Sequence, residues 1–303
     1  MSDCELLKQI YIYVGLRTLL FGLCDFYFAE VSMVYIQSSS WEDATLANRF
    51  MFYKIFTHYP LVCKRLLEIL LHIEIDRIEP PYGEADFEVD FDSKGIRLDV
   101  YTKSDGRRFD IELQNVDTKE LAKRARYYQA LMDIDTLKRG EPYSSLPESY
   151  VLFLCLDDIF GCGLPVYSFQ NVCTSDSRIK MNDGTYKIFF NAKKYDIMPT
   201  EEEREFFKFL CGGGAGSAFT KDLDVLVASA RHNAQWRQQF MTWEQEVQLS
   251  YHRGIAEGVE KGRKETAIKM LEDGYLPLER ISEYTQLSVE ELKALQLGKQ
   301  NGV

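Results

Sequence analysis

Asp99, Glu112 and Gln114 stand at spacings that place two carboxylates and an amide on one face of a β-hairpin. In Ile96-Arg97-Leu98-Asp99-Val100-Tyr101 the residues Ile96, Leu98 and Val100 point one way and Arg97, Asp99 and Tyr101 the other, because side chains alternate along a strand. In Phe109-Asp110-Ile111-Glu112-Leu113-Gln114 the apolar Phe109, Ile111 and Leu113 share one face and Asp110, Glu112 and Gln114 the other. Asp105-Gly106 between the two runs is a strong hairpin signal. A two-residue loop sets Ser104 opposite Arg107. Further out, Val100 then faces Ile111, Leu98 faces Leu113, Asp99 faces Glu112 and Arg97 faces Gln114. Carboxylates directly opposed across a hairpin have Cβ atoms about 5 Å apart and repel. A hard divalent cation such as Mg²⁺ offsets that repulsion. It also activates a water and stabilises the charge that develops when a phosphate ester is attacked. Gln114, two residues beyond Glu112, is placed to orient a water or a phosphate oxygen. The alternative is a solvated charged face on which Arg97 neutralises the acidic pair.

Several elements must position this hairpin. Residues 44–58 carry apolar side chains at helical spacing until Tyr59-Pro60, and residues 61–72 form a second helix. The period then changes, predicting strands over 73–78, 86–91, 96–102 and 107–114. A long helix is expected over 118–139. Tyr150-Val-Leu-Phe-Leu-Cys-Leu156 is continuously apolar, as a strand buried on both faces should be. Short strands follow at 165–172 and 185–190, and a helix at 200–210. The Gly-rich run 211–219 reads as a flexible linker, and 220–303 reads as helix almost throughout. These features imply an atypical N-terminal extension over 1–40, an α/β domain over 41–210 and a helical C-terminal region. In the extension, Arg17, Asp25 and Glu30 interrupt an apolar stretch, and Met33 is an alternative start. No uncharged run reaches the ~18 residues of a membrane span.

The net charge of −11 argues against a general nucleic-acid coat, which needs a cationic surface. Any nucleic-acid contact must come from local cations or from metal ions. The seven cysteines are odd in number and contain no CxxC pair, which predicts reduced thiols in a cytoplasmic protein. The four histidines are scattered, which argues against a zinc site.

RLDVY at 97–101 followed by DIELQ at 110–114 resembles the PD-(D/E)XK nuclease superfamily, in which an Asp and a Glu on adjacent strands are followed by a Lys two residues after the Glu. Gln114 stands in the Lys position, and the E-x-Q form is similar to the Rpn family of recombination-promoting, transposase-like nucleases. NRFMFYKIF, KRARYYQALMD, LKRGEPYSSLPESYVLFLC, TYKIFFNAK and GIAEGVEKGRKETAIKMLEDG also resemble family segments, so the likeness runs over about residues 41–295. It implies a mixed β-sheet core flanked by helices and an Mg²⁺-dependent endonuclease acting on DNA, with Mn²⁺ or Ca²⁺ as alternative ions. Asp99, Glu112 and the Leu113 carbonyl would bind the metal. Gln114 is neutral and cannot supply the lysine's charge to the transition state. Family members tend to carry an acidic residue where this chain has Asn48-Arg49; Glu88 and Asp90 are candidate substitutes. The alternative is a nuclease-derived DNA-binding or assembly module with little catalysis.

Lys119, Lys123 and Arg126 fall at i, i+4 and i+7 on the expected 118–139 helix, with Arg124 beside them. They are the expected DNA-phosphate contacts. Gly254, Gly258 and Gly262 recur every fourth residue in a charged helical context, which suits a homodimer formed through the C-terminal helices or else a weak helix. The tail predicts two short helices, with Ser288 and Glu291 forming a capping box.

Overall fold

The computed structural model describes residues 40–87, 96–104, 106–116 and 118–300. These residues form two compact units that part between Asn233 and Ala234. The expected N-terminal extension, up to residue 39, lies outside the described residues.

The first unit opens with a short 3₁₀ turn, Trp41–Asp43, then helices α1 (Arg49–His58) and α2 (Pro60–Leu71). Helix α1 starts five residues later than its apolar spacing suggests, because the Asn48 side chain accepts a hydrogen bond from the Met51 N–H at 3.1 Å and caps it there. Pro60 occupies the first turn of α2, where its missing N–H costs nothing. Strands β1 (Tyr82–Phe87), β2 (Ile96–Ser104) and β3 (Arg107–Gln114) follow. After them come helix α3 (Leu121–Thr136) and strands β4 (Ser149–Cys155), β5 (Val166–Phe169), β6 (Val172–Cys173), β7 (Asp176–Lys180) and β8 (Thr185–Asn191). Helices α4 (Glu201–Leu210) and α5 (Ala218–Arg231) complete the unit.

Six strands make one mixed sheet in the order β1-β2-β3-β4-β8-β5, and β6 pairs with β7 separately. The β1–β2, β2–β3 and β5–β8 pairs are antiparallel, whereas β3–β4 and β4–β8 are parallel. Parallel neighbours need a crossover, and α3 lies in the one that joins β3 to β4. It covers the sheet face that carries Tyr101, Val151, Phe153, Cys155 and Phe189, packing Leu121, Ala125, Tyr128, Leu131 and Met132 against it. On the opposite face Phe109, Ile111, Leu113, Leu152 and Phe190 are buried, and Phe190 stacks on Phe207 of α4 at 5.4 Å. The polar face of the β2–β3 hairpin is therefore not a solvated surface. Asp110 and Glu112 are as buried as the apolar residues between them.

Three sequence expectations need correction. Residues 73–78 are not a strand: the Glu79 N–H reaches the Lys103 carbonyl at 2.9 Å, but the Thr102 and Ser104 hydroxyls then take the Glu79 and Arg77 carbonyls in place of ladder bonds. Helix 118–139 is shorter at both ends; Lys119 sits before it with φ +59°. The glycine run at 211–219 joins two helices of one unit. Gly212, at φ +88°, and Gly213 close the end of α4, the Gly213 N–H bonding the Lys208 carbonyl at 2.8 Å. Helix α5 then buries Leu223, Val227 and Ala230, the Trp41 indole donates to the Arg231 carbonyl at 3.1 Å, and the Arg231 Nε donates to the Ala44 carbonyl at 2.9 Å. The described unit thus continues to Asn233.

The second unit comprises α6 (Ala234–Asp273), α7 (Leu278–Thr285) and α8 (Val289–Gln300). Ala267, Ile281, Leu287 and Leu292 form its small core. The capping box is formed, with the Glu291 N–H donating to the Ser288 hydroxyl at 3.2 Å and the Ser288 N–H to the Glu291 carboxylate at 2.7 Å. Gly254, Gly258 and Gly262 are exposed, and a Cβ on any of them would meet open space. Among the described residues no helix is long and apolar enough to cross a membrane.

Candidate functional site

The site arises where the β2–β3 ladder stops. The pairing runs from Ser104 opposite Arg107 to Val100 opposite Ile111, the register the hairpin spacing predicts. On its other edge β3 bonds β4 through its even-numbered residues, as the Arg108 N–H to Glu148 carbonyl bond (2.8 Å) and the Leu156 N–H to Gln114 carbonyl bond (2.9 Å) show. The N–H and C=O of Leu113 therefore face β2. The rung expected there, Leu98 opposite Leu113, is missing from the ladder. Instead the Leu113 N–H donates to Oδ2 of Asp99 at 3.1 Å, and the Asp99 N–H donates to Oε1 of Glu112 at 2.9 Å. Two carboxylates are thus locked to the backbone of the opposite strand, and the Leu113 carbonyl opens on the same gap.

Two guanidinium groups meet these carboxylates. Nη2 of Arg49, from the first turn of α1, lies 2.7 Å from Oδ1 of Asp99. Nη2 of Arg124, on α3, lies 3.3 Å from Oε2 of Glu112, and its Nη1 donates to Oε1 of Gln114 at 2.9 Å. The Tyr128 hydroxyl accepts from Nε and Nη2 of Arg124 at 3.0 and 2.8 Å, which fixes the guanidinium beside the Tyr128 and Phe153 rings. The Gln114 amide also donates to the Val116 carbonyl. The repulsion between Asp99 and Glu112, expected to call for a cation, is in this arrangement offset by arginines from two helices.

Burial still dominates the electrostatics. It pushes the Glu112 carboxyl up to about 8, helped by the Asp99 charge and opposed by the Asp99 N–H, Arg124 and Arg49. Asp110, one pleat back on the same face, is raised well above the ordinary carboxylate range by burial and then by the charges of Glu112 and Asp99. Neither of its carboxylate oxygens has a hydrogen-bond partner among the described residues. An orphaned buried carboxylate next to a second one is a strongly cation-seeking environment. Asp99 and Glu112 with the Leu113 carbonyl fit the oxygen-donor chemistry of a hard divalent ion. Among the described residues, no group of three or more His, Cys, Asp or Glu side chains is gathered for one.

The fold brings Asp99, Glu112 and Leu113 together, with Gln114 joined to Glu112 through Arg124. Glu88 and Asp90 lie outside the described residues. Lys123 and Arg126 are exposed on α3, and Lys119 precedes the helix, so the three do not share a helical stripe. Arg124 reaches Gln114 and Glu112. Sequence reasoning missed three participants. Asp110 carried a usable signal in its shared parity with Glu112, and Tyr128 in its i+4 spacing from Arg124. Arg49, 50 residues from Asp99, was marked only as standing where family members tend to carry an acidic residue.

No curated protein and no solved structure matches the chain. Residues 50–210, just over half of the 303, match the sequence model of a family described as PD-(D/E)XK nuclease family transposase, and this span runs from helix α1 to the end of α4, enclosing the whole carboxylate hairpin. The chain belongs to the PD-(D/E)XK nuclease family of transposases.

Proposed function

We propose that this protein is a divalent-metal-dependent endonuclease that hydrolyses DNA phosphodiester bonds, of the recombination-promoting Rpn type. The observation that carries the reading is the interrupted ladder, which turns the buried Glu112 carboxylate, the partly exposed Asp99 carboxylate and a backbone carbonyl toward one gap. Asp99, Glu112 and the Leu113 carbonyl would hold Mg²⁺, or Mn²⁺ or Ca²⁺ in its place. When bound, the ion supplies Lewis-acid charge for phosphoryl chemistry. A water oxygen bonds phosphorus, the P–O bond to one sugar breaks, the leaving oxygen takes up a proton, and the attacking water gives one up. Gln114 positions that water through the Oε1 lone pair that Arg124 leaves unused. Lys119, Lys123 and Arg126 would meet backbone phosphates outside the gap. Two copies would pair along the exposed glycine face of α6. A cytoplasmic setting suits the free thiols of Cys63, Cys155, Cys162, Cys173 and Cys211.

A second reading, a DNA-binding or assembly module with little catalysis, is favoured by one observation: Arg49 already neutralises Asp99 where a cation would bind. Plasmid nicking by the purified full chain separates the two. Nicking that needs Mg²⁺ or Mn²⁺ and is lost in Asp99→Asn supports the nuclease. DNA binding with no nicking under any divalent ion supports the module.

A further inference from the structure

Hydrolysis of a phosphodiester piles negative charge onto phosphorus oxygens as the water adds, and enzymes meet that charge with fixed cations and donors. On the strand that carries Glu112, the next residue on the same face is the neutral Gln114. The cation is supplied from another element. Nη1 of Arg124 bonds Gln114 and Nη2 bonds Glu112, so the guanidinium bridges the two residues two positions apart on β3. We infer that Arg124 is the catalytic cation of this site: its guanidinium, docked on Gln114, carries the positive charge that stabilises the reacting phosphate.

Three observations support this role over that of a purely structural ion pair. Four hydrogen bonds occupy Nε, both Nη2 hydrogens and one Nη1 hydrogen, leaving one Nη1 hydrogen for a phosphate oxygen. The side chain is 27% exposed while its partner Glu112 is buried, so Arg124 is the member of the pair that solvent, and an arriving phosphate, can reach. Its orientation is set in advance, by the Tyr128 hydroxyl on one side and the Tyr128 and Phe153 rings at 5.3 and 5.6 Å, which lowers the reorganisation needed at the moment of reaction. Arg49 is the less suitable cation, because it is 48% exposed and its side-chain bond is to Asp99, with none to Gln114 among the described contacts.

The inference rests on the nuclease reading, and the test keeps the two apart. Wild type, Arg124→Gln, Arg124→Lys and the double variant Gln114→Lys/Arg124→Gln are assayed for nicking under saturating Mg²⁺, with Mn²⁺ affinity and thermal melts measured alongside. Arg124→Gln is expected to lower kcat by about 10² to 10³. KM for DNA should change less than about threefold, because uniform binding is not what is lost, and Mn²⁺ affinity should not fall, because the cation removed is one that competes for Glu112. Arg124→Lys, with charge but no fork, should fall between. The double variant, which returns a cation to β3 itself, should recover at least tenfold over Arg124→Gln. If Arg124→Gln does not fold, the double variant carries the test alone, and its nicking within about tenfold of wild type supports the inference while a folded, inactive double variant overturns it. Arg124→Gln nicking at the wild-type rate overturns it, as does a loss of kcat that tracks a loss of Mn²⁺ affinity and is not rescued by Gln114→Lys. A wild type that binds DNA and Mn²⁺ but never nicks overturns the nuclease reading and this inference together.

Discussion

Glu112→Gln isolates the electrostatic cost of the buried carboxylates. Burial raises Glu112 from the ordinary 4.5 to about 8, so between those values the folded state holds a proton that the unfolded chain has released. Stability then falls as pH rises through that window, the sign opposite to that of a salt-bridged carboxylate. At about 1.4 kcal/mol per pH unit, the ceiling on this loss is roughly 5 kcal/mol. Asp110, also raised by burial and then by the Glu112 and Asp99 charges, stays titratable in the variant. In a unit of this size about 2–4 °C of Tm accompanies each kcal/mol, and half the ceiling corresponds to roughly 5–10 °C. Gln keeps an acceptor for the Asp99 N–H but cannot titrate. Melts in EDTA across this range should therefore show wild-type Tm falling with pH distinctly more steeply than that of Glu112→Gln; the difference in slope is the readout, since the variant also loses its pairing with Arg124. Added Mg²⁺ should stabilise wild type more as pH rises, because only the ionised carboxylate binds it. Parallel pH slopes for the two proteins, with equal Mg²⁺ stabilisation at both ends of the range, would refute the reasoning.

Asp99→Asn should destabilise the metal-free protein by about 1 kcal/mol, since the charged half of a partly exposed Arg49 pair is lost while an acceptor for the Leu113 N–H remains; calorimetry without divalent ions checks the sign. Arg49→Gln removes the cation that competes for Asp99, so Mn²⁺ titration should show several-fold tighter binding, and an unchanged affinity would mean that the ion sits elsewhere. Alanine at both Lys123 and Arg126 should lower the slope of log affinity for DNA against log salt by about 2; a slope identical to wild type would move the DNA path off α3. Ser288→Ala removes the hydroxyl arm of a capping box, leaving the backbone N–H of residue 288 on the Glu291 carboxylate, and should cost the second unit about 1 kcal/mol, visible as faster amide exchange over 289–292 and unchanged exchange in β3.

The carboxylate pair was legible because strand alternation and an Asp-Gly turn are local codes: a two-residue loop fixes which residue meets which, and Val100 does face Ile111. The same code failed at the next rung. Alternation carries no information about a side chain that takes a ladder bond, as Asp99 does from Leu113. What the arginines meet at the hairpin was illegible for a different reason. Arg49 and Arg124 reach the hairpin from helices whose placement depends on tertiary packing, and a helical wheel shows only that Arg124 lies off the Lys123–Arg126 face, not what it meets. Asp110 and Glu112 were readable as polar-face residues, but that this face is dry follows only once α3 covers it. The boundary at the glycine run shows composition misleading in a simple way: glycines that end one helix tightly resemble glycines that join two domains.

The order of strands has a consequence for how the site assembles in time. Asp99 and Glu112 are joined through a hairpin and meet by closing a short loop, which is fast. Helix α3, with Arg124, takes its final place only as β4 pairs in parallel with β3, a non-local closure that comes later on entropic grounds. The acidic pair therefore comes together before its partner cation from α3 is docked, and the folding chain passes through a stage in which these carboxylates are brought close with one guanidinium missing. Protons or divalent ions present at that stage act on the rate at which the nascent hairpin survives, independently of anything they do in the finished protein.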